Sequence, residues 1–175
     1  MLTIRPLTPL DAAAHRALML EAYEKYPEVF TTSHSERVGL PLSYWAERLA
    51  PGDPAPTVVF GAFDAQGRLV GVAGLNVPET RMRSRHKGLL FGMYVAPSAR
   101  RHGAGQRLVQ AVLDGARARG DLRLVQLTVT QGNDSAQALY KRCGFKTFGV
   151  EPMAVCVDGR FHAKVHMWCE LAPAA

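Results

Sequence analysis

The sequence predicts an α/β (α+β) fold that mixes antiparallel hairpins with a β-α-β centre. Three observations carry that prediction. Apolar, β-rich runs and helical patterns follow one another in the order β-α-α-β-β-β-α-β-α-β-β. Two neighbouring pairs of runs are joined by turn-forming strings, Asp64-Ala65-Gln66-Gly67 and Asp158-Gly159. The second is the strongest hairpin signal in the chain. The third observation is that Leu89–Val95 and Leu122–Thr130 are separated by one long helical pattern, which makes the β-α-β centre of that order.

Length and composition set the limits. At 175 residues, 47% hydrophobic and 21% charged, the chain reads as one globular domain over 1–171, with a frayed tail at 172–175. Lys and Arg exceed Asp and Glu by 21 to 15, a formal charge of +6. That excess favours anionic ligands, whether nucleic acid or a phosphorylated cofactor. The three cysteines, Cys143, Cys156 and Cys169, show no C-x-x-C spacing. Their odd number argues against a disulfide framework and for a reducing cytoplasm. No run is apolar enough to span a bilayer, and the N-terminus lacks a signal-peptide core, so no membrane partner is expected.

Taken in order, Leu2–Leu7 reads as a first strand. Thr8-Pro9 offers a capping hydroxyl and a proline at the first helical position. Leu10, Ala13, Ala14, Ala17 and Leu18 recur at helical spacing, and this helix is predicted to end near Tyr26-Pro27. A polar connection, Pro27–Pro41, leads to a short helix at Leu42–Leu49. Ala50–Pro56 is a loop. Thr57–Phe63 and Leu69–Val77 form the first hairpin, and Glu79–Lys87 is a basic loop into the central strand. After that strand, Leu108, Val109, Val112, Leu113 and Ala116 mark one helical face, with Gly120 as its stop. Leu122–Thr130 alternates as a strand. The next helix begins near Asn133-Asp134, with Asp134 and Gln137 spaced as a capping box, and ends at Gly144. Phe145–Val157 and Arg160–Leu171 close the chain as a hairpin.

The chemistry concentrates between Leu89 and Arg107. An apolar strand ends at Pro97 and is followed by Arg100-Arg101-His102-Gly103-Ala104-Gly105 and a helix. The first amides of a helix lack internal partners, and the helix dipole adds partial positive charge there. Glycines let the backbone approach a phosphate. The spacing is neither a dinucleotide fingerprint, since Leu108 stands at the third glycine position, nor a P-loop. A plain glycine-bearing turn with solvated arginines is the other reading of this hexapeptide alone. A second motif stands downstream, N-x-x-A-x-x-L-Y-x-x-x-G-F from Asn133 to Phe145.

The R-x-x-G-x-G string from Arg100 to Gly105 resembles the coenzyme A loop of the GCN5-related N-acetyltransferases. The Asn133–Phe145 motif resembles the second hallmark of the same superfamily, in the expected order and at the expected distance. The resemblance implies a mostly antiparallel seven-stranded sheet with about four helices, whose central parallel strands splay to admit the pantetheine arm of acetyl-CoA. It implies that Met93, Tyr94 and Val95 pair with that arm. It places the pyrophosphate on Arg100, Arg101, His102, Gly103, Ala104, Gly105, Gln106 and Arg107. Asn133 and Ala136 would flank the cofactor, and Tyr140 would protonate the departing thiolate. The implied reaction is acetyl transfer from acetyl-CoA to a primary amine of a small molecule or peptide, by direct attack and with no metal.

Each residue also has a plainer reading. Tyr140 shares a face with Ala136 and Leu139, as a core tyrosine would. Asn133 suits a helix cap, Cys143 a small buried thiol, and His162 and His166 ordinary strand positions. The central strand carries no acid, whereas many relatives place one there. Glu24, Glu79, His86, Glu151 and water are all open as proton acceptors. Ala163-Lys164 stands where similar sequences often carry an acidic pair. The acceptor wall is expected from Tyr23, Tyr26, Pro27, Phe30, the Glu79–Lys87 loop and the final hairpin. A non-catalytic acyl-CoA sensor and a nucleic-acid module are the rival classes. The sequence offers no nucleic-acid motif, so the expected partner is the amine, with the protein a monomer or homodimer.

Overall fold

The computed structural model describes residues 2–50, 52, 56–78 and 82–171. Among them the chain forms one seven-stranded sheet and five α-helices. The strands are β1 (Thr3–Pro6), β2 (Thr57–Phe63), β3 (Leu69–Asn76), β4 (Lys87–Val95), β5 (Leu124–Thr130), β6 (Lys146–Val157) and β7 (Arg160–Glu170). The helices are α1 (Ala12–Lys25), α2 (His34–Val38), α3 (Leu42–Glu47), α4 (Ala104–Ala118) and α5 (Asp134–Arg142). The sheet order is β1-β2-β3-β4-β5-β7-β6. Only β4 and β5 pair in parallel; the other neighbours are antiparallel.

Side-chain alternation divides the core between the two sheet faces. Adjacent Val72 and Ala73 on β3 belong to different clusters, as a period of two demands. On one face α4 buries Leu108, Val109, Val112, Leu113 and Ala116 against Leu75, Leu90, Val125, Leu127 and Met167. Burying each of the larger of these side chains is worth roughly 1.5–3 kcal/mol. On the other face α1 and α3 set Leu18, Met19, Ala22 and Trp45 over Val59, Val72 and Tyr94.

The turns follow their residue chemistry. Asp158 and Gly159 both take positive φ, 48° and 76°, as the tight β6–β7 turn requires. Gly120 and Gly144, at φ 73° and 95°, follow the ends of α4 and α5.

Several elements differ from expectation. The polar connection after α1 contains α2, a single short turn whose Ser33 hydroxyl accepts from the Glu36 amide in a capping box. Five residues are too few for a periodic apolar signal, so four helices were expected where five form. Thr8 caps a 3-10 turn at Pro9–Asp11, and the α-helix proper starts at Ala12. Of the expected apolar face only Leu18 is buried: Leu10, in the 3-10 turn, is 96% exposed, and Ala13, Ala14 and Ala17 are exposed. Alanine on every side of α1 hides the true stripe of Ala12, Leu18, Met19 and Ala22. On α5 the cap is Asn133, whose Oδ1 accepts from the Ala136 amide at 3.3 Å, so the Asp134–Gln137 box does not form. The expected tail at 172–175, most of the Ala50–Pro56 loop and Glu79 lie outside the described residues.

Candidate active site

The site begins where the sheet comes apart. β4 and β5 pair at Lys87–Leu124, Gly88–Val125 and Leu89–Gln126, and the register stops there. From Leu90 to Val95 and from Leu127 to Thr130 the two strands run on without pairing to each other. β4 is also bulged. Gly74 faces Phe91 and Val72 faces Tyr94, so Gly92 and Met93 together stand opposite Ala73. Gly92 has φ 61°, a left-handed conformation that glycine adopts without a side-chain clash. The bulge sends Met93 to the α4 face and Tyr94 to the α1 face.

At the open end of the split the chain turns through a 3-10 turn, Pro97–Ala99, into α4. Arg101 (φ 66°) and Gly103 (φ 77°) are both left-handed. Gly103 is the N-cap of α4 and has no side chain with which to cap it. The first amides of the helix are therefore left for a ligand or solvent. A Cβ on Gly103 would meet nothing within 4 Å, so packing does not demand glycine there; the backbone angle does. Gly105 is different. A Cβ there would stand 3.0 Å from Leu139 Cδ2 and 3.4 Å from Met93 Cε, so this glycine lets α5 close onto the start of α4.

The neighbouring polar side chains divide. Arg101, His102 and Gln106 are exposed around the turn, and Ala104 is buried beneath it. Arg107 donates to the Leu2 carbonyl at 2.7 Å, tying the helix to β1. Arg100 turns toward the α1 face: its Nε donates to the Val95 carbonyl at 3.0 Å, and its guanidinium lies 5.0 Å over the Tyr26 ring.

α5 forms the next wall. Asn133 sits at its start with Oδ1 engaged by Ala136 N and Ser135 Oγ. Tyr140 is 5% exposed and meets Phe145 edge-on at 5.9 Å. Its hydroxyl makes no hydrogen bond among the described residues, and burial pushes its pKa upward, with nearby Cys143 adding to the shift. A tyrosine held protonated is suited to donate rather than accept a proton.

The α1 face holds a denser polar network. Tyr94 donates to Glu21 Oε1 at 3.0 Å, and Lys25 donates to the same oxygen at 2.9 Å. Burial and the hydrogen bond to Glu21 push Tyr94 up to about 12. Across the split, Lys164 is 5% exposed, and its ammonium donates to Val29 O at 2.6 Å, Thr130 Oγ1 at 2.8 Å and Glu28 O at 3.3 Å. Burial lowers its pKa. Of the other candidate proton acceptors, Glu151 is bonded to His166 Nε2 at 2.9 Å, Glu24 is exposed, and His86 precedes the paired end of β4.

Three features of this geometry lie outside the two sequence motifs. The bulge at Gly92 had a signal, an isolated glycine inside a strand pattern. The Glu21–Tyr94 bond and the Lys164 cluster had none, because their partners stand 73 and 34 to 136 residues apart in sequence.

Comparison with known proteins gives this geometry its setting. The matched part of the chain is 30% identical over 113 residues to the L-methionine sulfoximine/L-methionine sulfone acetyltransferase of Pseudomonas aeruginosa. That match covers 64% of this chain and 64% of the relative's length. Among solved structures, the acetyltransferase of GNAT family from Streptococcus pneumoniae superposes with a TM-score of 0.86 at 25% identity, covering 97% of this chain and 99% of that one. A phosphinothricin acetyltransferase from Sinorhizobium meliloti, solved in complex with AcCoA, shares the fold at a TM-score of 0.83 and 20% identity, over 98% and 89% of the two chains. The model of the acetyltransferase (GNAT) family matches residues 16–145, well over half of the sequence. The chain belongs to the acetyltransferase (GNAT) family.

Proposed function

We propose that this protein is an N-acetyltransferase that moves an acetyl group from acetyl-CoA to a primary amine of a small molecule or peptide by direct attack. The observation that carries the reading is the split after Leu89–Gln126, which opens toward a left-handed, uncapped helix start at Gly103. An open strand edge beside an anion-accepting helix end suits a ligand with an amide-bearing arm and a pyrophosphate.

The residues present fit that ligand. Met93, Tyr94 and Val95 lie on the stretch of β4 that β5 leaves unpaired, where strand-like hydrogen bonds to the arm can form. Gly103, Ala104, Gly105 and Gln106 supply the amides of the helix start, with Arg101 and His102 beside them. Arg100 and Arg107, engaged with Val95 O and Leu2 O, brace the two ends of the turn. Asn133 and Ala136 begin the opposite wall.

Acetyl-CoA supplies a thioester. In the proposed step the amine nitrogen bonds to the carbonyl carbon, the C–S bond breaks, and the sulfur leaves with the electron pair. Tyr140 gives the departing sulfur its proton. β4 carries no acidic side chain, so the amine's surplus proton passes to a group outside that strand or to water. Cys143, Cys156 and Cys169 are all free thiols, and no described helix is long and apolar enough to cross a membrane. Both fit the cytoplasm as the proposed location.

The test is a panel of amines with acetyl-CoA, read by free-thiol release. The panel contains L-methionine sulfone, L-methionine sulfoximine, a polyamine, an aminoglycoside and short peptides with free N-termini. Release above the amine-free rate with at least one of them is expected. Tight CoA binding with no release would leave the sensor instead, and neither binding nor release would remove the proposal altogether.

A further inference from the structure

Lys164 is a buried ammonium that the proposed chemistry does not use. It stands on β7 directly opposite Thr130 at the end of β5. Its three donors meet three oxygens, Val29 O, Thr130 Oγ1 and Glu28 O. Thr130 Oγ1 in turn donates to Glu28 O at 2.9 Å. A buried charge is retained at low cost only when its hydrogen-bonding capacity is filled, as it is here.

What those oxygens belong to matters more than the charge itself. Glu28 and Val29 come three and four residues after the end of α1 at Lys25. Two residues upstream, the Tyr26 ring lies 5.9 Å from the Tyr94 ring on β4. The Val29 amide donates to Tyr26 O at 3.0 Å, which folds the segment into one tight turn. One short segment therefore touches β4 at Tyr26 and β5 and β7 at Glu28 and Val29. Those are the two banks of the split, and both contacts lie beyond the last paired residues, Leu89 and Gln126. The segment is a strap across the gap on the α1 face, hinged at the end of α1 and made fast on the far bank by Lys164. Phe30, packed edge-on against Tyr23 at 5.2 Å, follows the fastening directly.

We propose that Lys164 is a positioning residue for the acceptor amine: by holding Glu28 and Val29 to the β5 bank, it fixes the strap that walls the acceptor side of the split. The assignment rests on the acetyltransferase reading above.

The test uses the full chain and the variants Lys164→Met, which keeps an unbranched side chain while removing the donors, Thr130→Val and Thr130→Ser. Hydrogen–deuterium exchange is followed with CoA present, and KM is measured for acetyl-CoA and for whichever panel amine the wild type turns over. In Lys164→Met, exchange across Tyr26–Phe30 should speed up about tenfold, as expected for local opening. The amine KM should rise about tenfold, with the acetyl-CoA KM within about twofold, the signature of lost acceptor binding alone. Thr130→Val should move in the same direction, and Thr130→Ser, which keeps the hydroxyl, should match wild type. Should Lys164→Met fail to fold, the Thr130 pair decides by the same readouts. Unchanged strap exchange, or the two KM values rising together, overturns the inference. Wild-type protein that releases thiol with no amine defeats the acetyltransferase reading and takes the acceptor role with it, an outcome separate from an active wild type with an indifferent variant.

Discussion

The two faces of the sheet are built by different means. On the α4 face, the walls of the cradle are local: a strand, a turn and a helix follow one another within Lys87–Ala118, and α5 closes on them through Gly105 and Leu139. Its core is wholly apolar where α4 packs, with Leu108, Val109 and Val112 at 0% exposure. On the α1 face, polar groups are buried along with the apolar ones. His15 Nδ1, Arg16 Nε and Trp45 Nε1 are buried without a hydrogen-bond partner among the described residues. The fastenings there run from side chain to distant backbone, as in Arg16 to Val38 O and Lys164 to Val29 O. On the reading proposed above, a pyrophosphate site draws mainly on the chemistry of a helix start. An acceptor wall needs separate segments brought into register, and on the α1 face polar contacts join such segments.

The largest expected effect breaks the α4 face at its turn. Gly103→Val puts a branched side chain on a residue at φ 77°, at a cost of roughly 1–2 kcal/mol for the left-handed conformation. It also fills the open space above the helix start. CoA affinity should fall by about a hundredfold or more, equivalent to roughly 2.7 kcal/mol, while the circular dichroism of the folded state is retained. Gly105→Val should behave otherwise. Its side chain would press on Leu139 and Met93, and overpacking of this kind costs typically ~1–3 kcal/mol. The melting temperature should therefore drop before any binding is measured. Calorimetry and thermal unfolding on the pair separate the two glycines. Equal CoA binding by Gly103→Val and wild type would show that the turn is not the cradle.

That contrast marks what the sequence made legible. R-x-x-G-x-G does not reveal that one glycine serves a backbone angle and the other a helix contact, because both are written with the same letter. The order of elements along the chain and the hairpins were legible because turn strings such as Asp158-Gly159 and period-two alternation act over a few residues. The split itself was legible only through the family resemblance; nothing in Leu89–Val95 or Leu122–Thr130 dictates that pairing stops after Leu89 and Gln126. The α1 face was the least legible. Alanine masks the buried stripe of α1, α2 is too short to show a period, and Lys164 reads as an ordinary strand lysine until Glu28 and Val29 are seen above it.

A smaller effect tests the chemistry on the α4 side without disturbing its packing. Tyr140→Phe keeps the ring against Phe145 and removes a hydroxyl that makes no hydrogen bond among the described residues, so stability should change little. Turnover should fall by roughly ten- to a thousandfold, the range for loss of a general acid. The KM for acetyl-CoA should move far less, because the hydroxyl matters as charge develops on sulfur. Steady-state kinetics with an amine from the panel give the answer. Wild-type turnover in the variant would return Tyr140 to the core and hand the proton to water.

The smallest expected effect concerns the α1 face and acid. His15 stacks edge-on against Trp45 at 5.6 Å, and burial, aided by the Arg48 charge, lowers it from 6.5 to about 4. The folded protein therefore prefers the neutral ring, while the unfolded chain takes up a proton near pH 6.5. Between those two values the unfolded state binds more protons, so stability is fully present above about pH 6.5 and is lost as the pH falls toward 4. The loss amounts to at most about 3 kcal/mol, with a slope no steeper than about 1.4 kcal/mol per pH unit. Asp11, held low by its hydrogen bonds with Arg5, and Glu21, held low chiefly by Lys25, act in the same direction but in a lower window, below the ordinary carboxylate range. The interval from pH 6.5 to 5 thus isolates His15. His15→Phe keeps a ring against Trp45 and cannot titrate, so urea denaturation at pH 5, 6 and 7 should give a markedly flatter stability profile for the variant than for wild type. Strap exchange across Tyr26–Phe30 should rise with acid in wild type before exchange in α4 does, because the α1 face carries the titrating ring and the α4 core does not. Parallel pH profiles for the two proteins would mean that the ring at position 15 stays hydrated, and the contrast between the two faces would then rest on the Lys164, Arg16 and Tyr94–Glu21 contacts.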